Sequence, residues 1–302
     1  MKSALVSVNI PTLNSAETLP TTLRSIAEQT YPRIEVIVAD THSSDSTPEI
    51  VSGFGARLVE TRDKLLGARR HAFVQSRGDY ILLLDSDQVL ERTTVARCVA
   101  LMDQFDMLML EEDSYKPKTW VQSLFQADRR MVAKIGQSQY NPQTGAMLPR
   151  FYRKNLLGPA FERIPRHLLR GVVAHDHAII YLEASRLSSR IGFVPRAVYS
   201  TEPDSLYGLW KKNFRYGQSV TCLRKTPYWS FVWRKTRRRA EREGLTGGSA
   251  STALLFLKSL AYATGFATAS AVDLLRFSVS SENRTSPMEL GADRAPKAAV
   301  ES

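Results

Sequence analysis

Cysteine is scarce in this sequence. The 302 residues contain two, Cys98 and Cys222, with no CxxC spacing, which excludes a disulfide framework or a zinc knuckle and fits a reducing compartment. Glycine is missing from "PTLNSAE", the segment after the first strand-like run, so the glycine-rich phosphate loop expected of a nucleotidyltransferase is not there. Long apolar runs are few as well. The N-terminal "MKSALVSVNIPTLN" is broken by Asn9 and Pro11 too early for a secretory signal, and the catalytic part reads as cytosolic. Acids are nearly absent from one stretch: residues 211–242 carry eleven Lys or Arg against Glu241 alone, and so hold +10 of the formal charge of +11.

What is present is the composition of an ordinary globular protein, 43% hydrophobic and 24% charged, long enough for one sizeable α/β domain and an appendage. The first half alternates strand-like and helix-like signals, as a mostly parallel sheet with helices on both faces requires. Residues 4–10 predict a strand ended by Pro11. Asn14 is placed to cap the next helix, with Glu17 completing the box and Leu19, Leu23 and Ile26 on the apolar face. Residues 34–40 predict a second strand, followed by a helix capped by Ser46 or Thr47 and opened by Pro48. Residues 56–61 predict a third strand and 67–77 a helix. Residues 80–84 predict a fourth strand, whose unbroken apolar character suits a central position covered on both faces. "PTLN" follows the first strand, "DTHSSDST" the second and "DSDQ" the fourth. Ligands of open α/β sheets bind outside the carboxyl ends of the strands, so one crevice is expected to hold all three clusters.

Asp85 and Asp87 face the same way if strand geometry persists, and both then meet one hard cation. A divalent ion held by only one or two carboxylates keeps positions open for substrate phosphates. Taken alone, Asp-Ser-Asp reads equally as a turn or a helix cap. In order and spacing, "VSVNIPTLNSAETL", "VIVADTHSSDSTPEI" and "GARRHAFVQSRGDYILLLDSDQVL" resemble the inverting family 2 glycosyltransferases with the GT-A fold, over about the first third of the chain.

The resemblance implies an α/β, Rossmann-like sheet, a nucleotide-sugar donor (a UDP- or GDP-sugar) and Mg2+ or Mn2+. It places Pro11, Thr12 and Asn14 in the loop after the first strand and Glu17 in the following helix. It sets Asp40 against the nucleoside base, with Ser43, Asp45 and Thr47 completing that element. Arg69 falls near the pyrophosphate, with Arg70 where the family has Asn. Asp85, Ser86 and Asp87 fall on the DxD motif as the metal-binding pair, Asp87 for direct contact and Asp85 for the ribose or a metal-bound water. Asp176, in "AHDHAIIYLEAS", falls at the general base that takes the proton of the acceptor hydroxyl; read alone it is an N-cap of that helix. Relatives often carry a His before a Glu-Pro, whereas Ser200 and Thr201 precede Glu202 and Pro203 here. The metal is then left to Asp87 and phosphates, or His177 substitutes. Glu111, Glu112 and Asp113, after the strand "DMLML", either line the acceptor pocket or form a solvated strand end.

"LWKKNFRYGQS" resembles an element of membrane-associated members, and its Lys211, Lys212 and Arg215 suit a donor diphosphate, a lipid phosphate or headgroups. Tyr228, Trp229, Phe231 and Trp233, interleaved with Arg234, Lys235 and Arg237 to Arg239, suit an anionic membrane surface rather than nucleic acid. Residues 252–272 form an apolar segment with one charge, Lys258, whose stem can snorkel; the segment either spans the bilayer or lies on it. The expected organisation is a catalytic domain over 1–205, a helical membrane-associating region over 206–280 and a disordered tail over 281–302. The expected function is transfer of a sugar, with inversion, to a polyprenyl phosphate or lipid-linked glycan at the cytoplasmic face of the membrane. A nucleotidyltransferase and a non-catalytic membrane adaptor are the competing readings.

Overall fold

The computed structural model describes residues 3–138, 148–229 and 249–282. Its strands join in one eight-stranded sheet. β1 (Val6–Thr12), β2 (Ile34–Asp40), β3 (Arg57–Glu60) and β4 (Tyr80–Leu83) run parallel in the order β3-β2-β1-β4. β5 (Gln88–Leu90), β6 (Met107–Ser114), β7 (Pro149–Arg153) and β8 (Ile191–Ser200) continue it as β4-β7-β6-β8-β5. β7 is antiparallel to both neighbours, β6 and β8 are parallel, and β5 is antiparallel to β8.

Helices α1 (Leu19–Ala27), α2 (Thr47–Gly53), α3 (Leu65–Gln75) and α4 (Thr94–Leu101) connect the first strands, and α5 (Trp120–Ser138) follows β6. After β7 come α6 (Lys154–Glu162), α7 (Arg166–Leu169) and α8 (Asp176–Ser185). Both faces of the sheet are therefore covered. Ile81 and Leu83 enter the core under α6, α7 and α8, while Leu82 and Leu84 enter the one under α1, α2 and α4. This two-sided burial is why the run 80–84 is uninterruptedly apolar. Each of these side chains contributes about 1.5–3 kcal/mol by leaving water.

Three local expectations are corrected. β1 does not stop at Pro11, which pairs in register with Ala39. Its missing N–H would point to the β4 side, where pairing ends at Asn9, so the ladder loses nothing there. Asn14 does not cap α1: it takes a left-handed φ of 50° and its Oδ1 accepts from the Ser44 amide at 2.8 Å. Ser15 carbonyl instead receives the Thr18 and Leu19 amides at 3.1 and 2.9 Å, so the helix begins one turn late. In α2 Ser46 stands at the N-cap position as expected, but its side chain makes no capping bond, and the Thr47 amide donates instead to Asp45 Oδ1 at 3.1 Å.

α9 (Leu206–Ser219) is capped by Ser205, and α10 (Ser249–Glu282) packs across it. A Cβ on Gly217 would lie 1.9 Å from Tyr262 carbonyl oxygen, and one on Gly265 2.0 Å from that of Phe214. Only glycine permits this backbone-to-backbone crossing. Lys258 does not snorkel: its Nζ lies 3.2 Å from Asp128 Oδ2 of α5 and 4.2 Å from the Phe125 ring centre. Phe231, Trp233, the cations 234–239 and the tail from 283 lie outside the described residues.

Candidate active site

The three polar clusters meet at the carboxyl edge of β1, β2 and β4 through hydrogen bonds among themselves. Thr12 Oγ1 and Ser43 Oγ both donate to Asp40 Oδ1, at 2.8 and 2.6 Å, and the Ser43 amide donates to Asp40 Oδ2 at 2.8 Å. The Asn14 amide donates to Ser43 Oγ at 2.8 Å, the Ala16 amide to Asp45 Oδ2 at 3.0 Å and the Ser15 amide to Thr47 Oγ1 at 2.9 Å. Ser15 Oγ and Ser86 Oγ, 2.9 Å apart, tie the first loop to the third. Asn14 and Leu13 stand exposed at the rim, Asp40 and Thr12 are buried beneath it, and Pro11 is buried within β1. Glu17 is exposed and takes no part in this network.

Behind the third loop lies a row of alternating charges. Arg69 of α3 donates to Asp176 Oδ2, at the N-terminus of α8, and to Asp85 Oδ1, and its Nη1 reaches Leu84 carbonyl at 3.3 Å. Arg150 of β7 donates to Asp85 Oδ2 at 3.1 Å, to Glu112 Oε2 at 3.3 Å and to His177 Nε2 at 2.8 Å. Arg129 of α5 bridges Glu112, at 2.9 Å, and Glu202. The order is Asp176, Arg69, Asp85, Arg150, Glu112, Arg129, Glu202. Ser200 Oγ and Gln88 Nε2, the latter at 2.8 Å, complete the shell of Glu112 Oε1. Glu111, Glu112 and Asp113 thus belong to β6, which runs on to Ser114.

Burial alone would raise the carboxyl of Asp85, but the guanidinium groups of Arg69 and Arg150 outweigh it and hold it well below the usual range. Burial against Arg129 and Arg150 leaves Glu112 at about 2. Asp176 is lowered too, Arg69 overcoming its burial. His177 is pushed down by burial and by the charges of Arg69 and Arg150, so its neutral ring accepts from Arg150 at Nε2 and carries its proton on Nδ1, which is buried without a partner.

The pair Asp85 and Asp87 does not act as the alternation predicts. β4 ends at Leu83, strand geometry lapses, and Asp85 turns back onto the two arginines with both oxygens engaged. Asp87, 30% exposed, pairs through Oδ2 with Lys212 Nζ of α9 at 3.4 Å, a contact of about 0–1 kcal/mol at such exposure. Among the described residues no group of three or more His, Cys, Asp or Glu is placed to hold a metal ion. The donor set fits an ion held by Asp87 and completed by substrate phosphates, and does not fit one shared with Asp85. His177 faces Asp85 and Arg150, so it does not replace the missing downstream His beside Asp87. Arg69 is 0% exposed with its donors committed, a position behind the carboxylates rather than against a diphosphate.

The sequence pattern of Glycosyl transferase family 2 matches residues 7–157, half of the chain. The chain belongs to this family. Its relatives include TarS of Staphylococcus aureus, a poly(ribitol-phosphate) β-N-acetylglucosaminyltransferase, 31% identical over 130 residues that cover 39% of this chain and 23% of TarS. WfaP of Escherichia coli, a UDP-Glc:α-D-GlcNAc-diphosphoundecaprenol β-1,3-glucosyltransferase, is 30% identical over 122 residues, 39% of this chain and 49% of WfaP. The chain spans under half the length of these relatives. Among solved structures, TarS 1–349 in complex with UDP-GlcNAc superposes with a TM-score of 0.54 at 17% identity, covering 87% of this chain and 81% of that one. The Pyrobaculum calidifontis mannosyltransferase PcManGT, in complex with GDP-Man and Mn2+, gives 0.53 at 20% identity, covering 90% and 87%. The family 2 chain shares their GT-A fold.

Within this family 2 chain, Arg129 and Arg150 are the site residues that the sequence did not single out. Each is one arginine among many, and its partners lie far along the chain. Only the carboxylate-rich end of β6 hinted that cations must gather there.

Proposed function

We propose that this family 2 chain transfers a sugar, with inversion, from a nucleotide diphosphate to an acceptor. The observation that carries the reading is the clasp of Asp85 between two arginines, which leaves Asp87, whose carboxylate pairs with Lys212 alone among the described residues, as the less engaged carboxylate of its motif beside the three joined loops, although the two are equally exposed at 29% and 30%. Thr12, Asn14, Asp40 and Ser43 form the floor for the nucleoside, with Asp45 and Thr47 holding the loops together. Asp87 would hold the divalent cation, which offsets negative charge on the departing diphosphate. The acceptor oxygen bonds to the anomeric carbon as the bond to the diphosphate breaks, and the nucleoside diphosphate leaves with the electron pair. Asp176, kept ionised and oriented by Arg69, takes the proton of an acceptor hydroxyl; an acceptor that is already an ionised phosphate needs no base.

A lipid-linked acceptor is supported by WfaP, whose acceptor carries diphosphoundecaprenol, and by α10. Within its segment Thr252–Leu274, an 18-residue stretch has a mean hydropathy of 1.2, and 11% of that stretch is buried. Phe256, Leu260, Val272 and Leu274 are exposed, as are Trp120, Tyr207 and Trp210 of α5 and α9. We place α10 in the plane of the cytoplasmic interface rather than across the bilayer. Lys258 with Asp128, Tyr262 with His175 and Ser270 with Arg224 bind it along its length to polar and charged parts of the domain that a spanning helix would drag into hydrocarbon.

A thermal-shift screen of UDP- and GDP-sugars with and without Mn2+, coupled to donor hydrolysis, tests the reading. At least one nucleotide sugar should raise the melting temperature and be turned over. Binding to anionic liposomes with neither stabilisation nor turnover would favour the membrane adaptor instead.

A further inference from the structure

We propose that Lys212 binds the diphosphate of the donor, an assignment that rests on the reading of this site as a nucleotide-sugar site. The three arginines of the charge row are each bridged between two carboxylates: Arg69 by Asp176 and Asp85, Arg150 by Asp85 and Glu112, Arg129 by Glu112 and Glu202. Four carboxylates against three guanidiniums leave the row one negative charge in excess. An arriving diphosphate therefore meets net repulsion, and none of the arginines can turn to it without abandoning a carboxylate. Lys212 differs from all three. It meets one carboxylate of this site, Asp87, at 3.4 Å, and an ammonium carries three donors.

Accessibility ranks the cations in the same order, the side chains of Arg69, Arg150 and Arg129 being 0%, 12% and 23% exposed and that of Lys212 32%. Its pair with Asp87 is open enough to water that exchanging the carboxylate for a phosphate oxygen costs little. The placement also suits a diphosphate. Asp87 follows Ser86, which is joined to Ser15 in the loop that carries Asn14, so Lys212 stands beside the junction of the first and third loops.

Lys212 arrives from outside residues 7–157, the part shared with the family. It is carried by α9, whose far turn is locked to α10 at the Gly217 and Gly265 crossing, and Leu209 of α9 packs with Val121, Phe125 and Leu254. Donor binding in this chain then depends on the helix pair that also faces the membrane.

The test is calorimetric titration of the full chain and of its Lys212→Ala and Lys212→Arg variants with UDP, GDP, UMP and GMP, in EDTA and again with Mn2+. Lys212→Ala should weaken the diphosphate by about tenfold or more and the matching monophosphate by less than about twofold, with Lys212→Arg closer to wild type. Melting temperatures recorded alongside verify that both variants fold. Equal losses for diphosphate and monophosphate, or no loss for either, would overturn the assignment of Lys212 and leave the nucleotide-sugar reading standing. Failure of the wild-type chain to bind either diphosphate would overturn both.

Discussion

The two sides of the candidate site are built by different means. On the first side, the loops after β1, β2 and β4 are joined to one another by hydroxyls, amides and carboxylates. On the second side, gathered from α3 to α9, seven charged groups share their charges in one row and an eighth and ninth, Asp87 and Lys212, stand beside it. A hydrogen-bonded loop loses one bond when one partner is removed. A buried charge that loses its partner keeps its full desolvation cost, so the second side should fail by larger steps.

The largest expected effect is that of Arg69→Leu, which strands Asp176 and leaves Asp85 to Arg150 alone. It should destabilise the fold by about 3–5 kcal/mol in urea unfolding and abolish turnover. A loss below about 1 kcal/mol would mean that the row does not act as a buried unit. Asp176→Asn keeps the shape but cannot take a proton. Turnover onto a hydroxyl acceptor should fall by about 10²–10⁴ while UDP affinity is retained, and undiminished turnover would remove Asp176 from the chemistry.

Acid sharpens the same contrast. Glu112 is lowered in the folded chain from 4.5 to about 2, so the stability it contributes is complete above 4.5 and is lost as pH falls from 4.5 through about 2. Asp85 is lowered in the same sense. Glu112→Gln should be less stable at neutral pH and lose less stability across that acid range, measured by urea unfolding at each pH. An unchanged slope would show that the carboxylate is not the titrating group. The smallest effect belongs to the first side. Ser43→Ala removes bonds to Asp40 and from the Asn14 amide, and should cost about 1 kcal/mol with a modest rise in the KM for the donor. A loss as large as that of Arg69→Leu would erase the distinction between the two sides.

The same contrast explains how much was legible beforehand. The four parallel strands, the central place of β4 and the convergence of the three loops follow from patterns that repeat over a few residues, and the loop partners Thr12 and Asp40 lie at the ends of strands that are neighbours in the sheet. The charge row is otherwise. Arg69 and Asp176 are 107 residues apart, Arg150 and Asp85 65, and Lys212 and Asp87 125. Nothing local to Arg150 or Arg129 distinguishes them from surface arginines. The errors at Pro11 and Asn14 were of a third kind, since Pro11 depended on where the neighbouring strand stopped and Asn14 on a loop from another βα unit.

The sequence by itself determined the unbroken run of apolar residues that buries β4 on both faces, the polar residue types at three strand ends, and the crowding of cations after residue 210. Tertiary structure alone decided which carboxylate of the Asp85 and Asp87 pair is clasped by two arginines, and which cation stands next to the other. The reason is that a carboxylate acts according to the charges within about 4 Å of it, where Coulomb energy in a partly dry site is several-fold larger than in water. Those neighbours are gathered by the folding of distant segments, not by spacing along the chain.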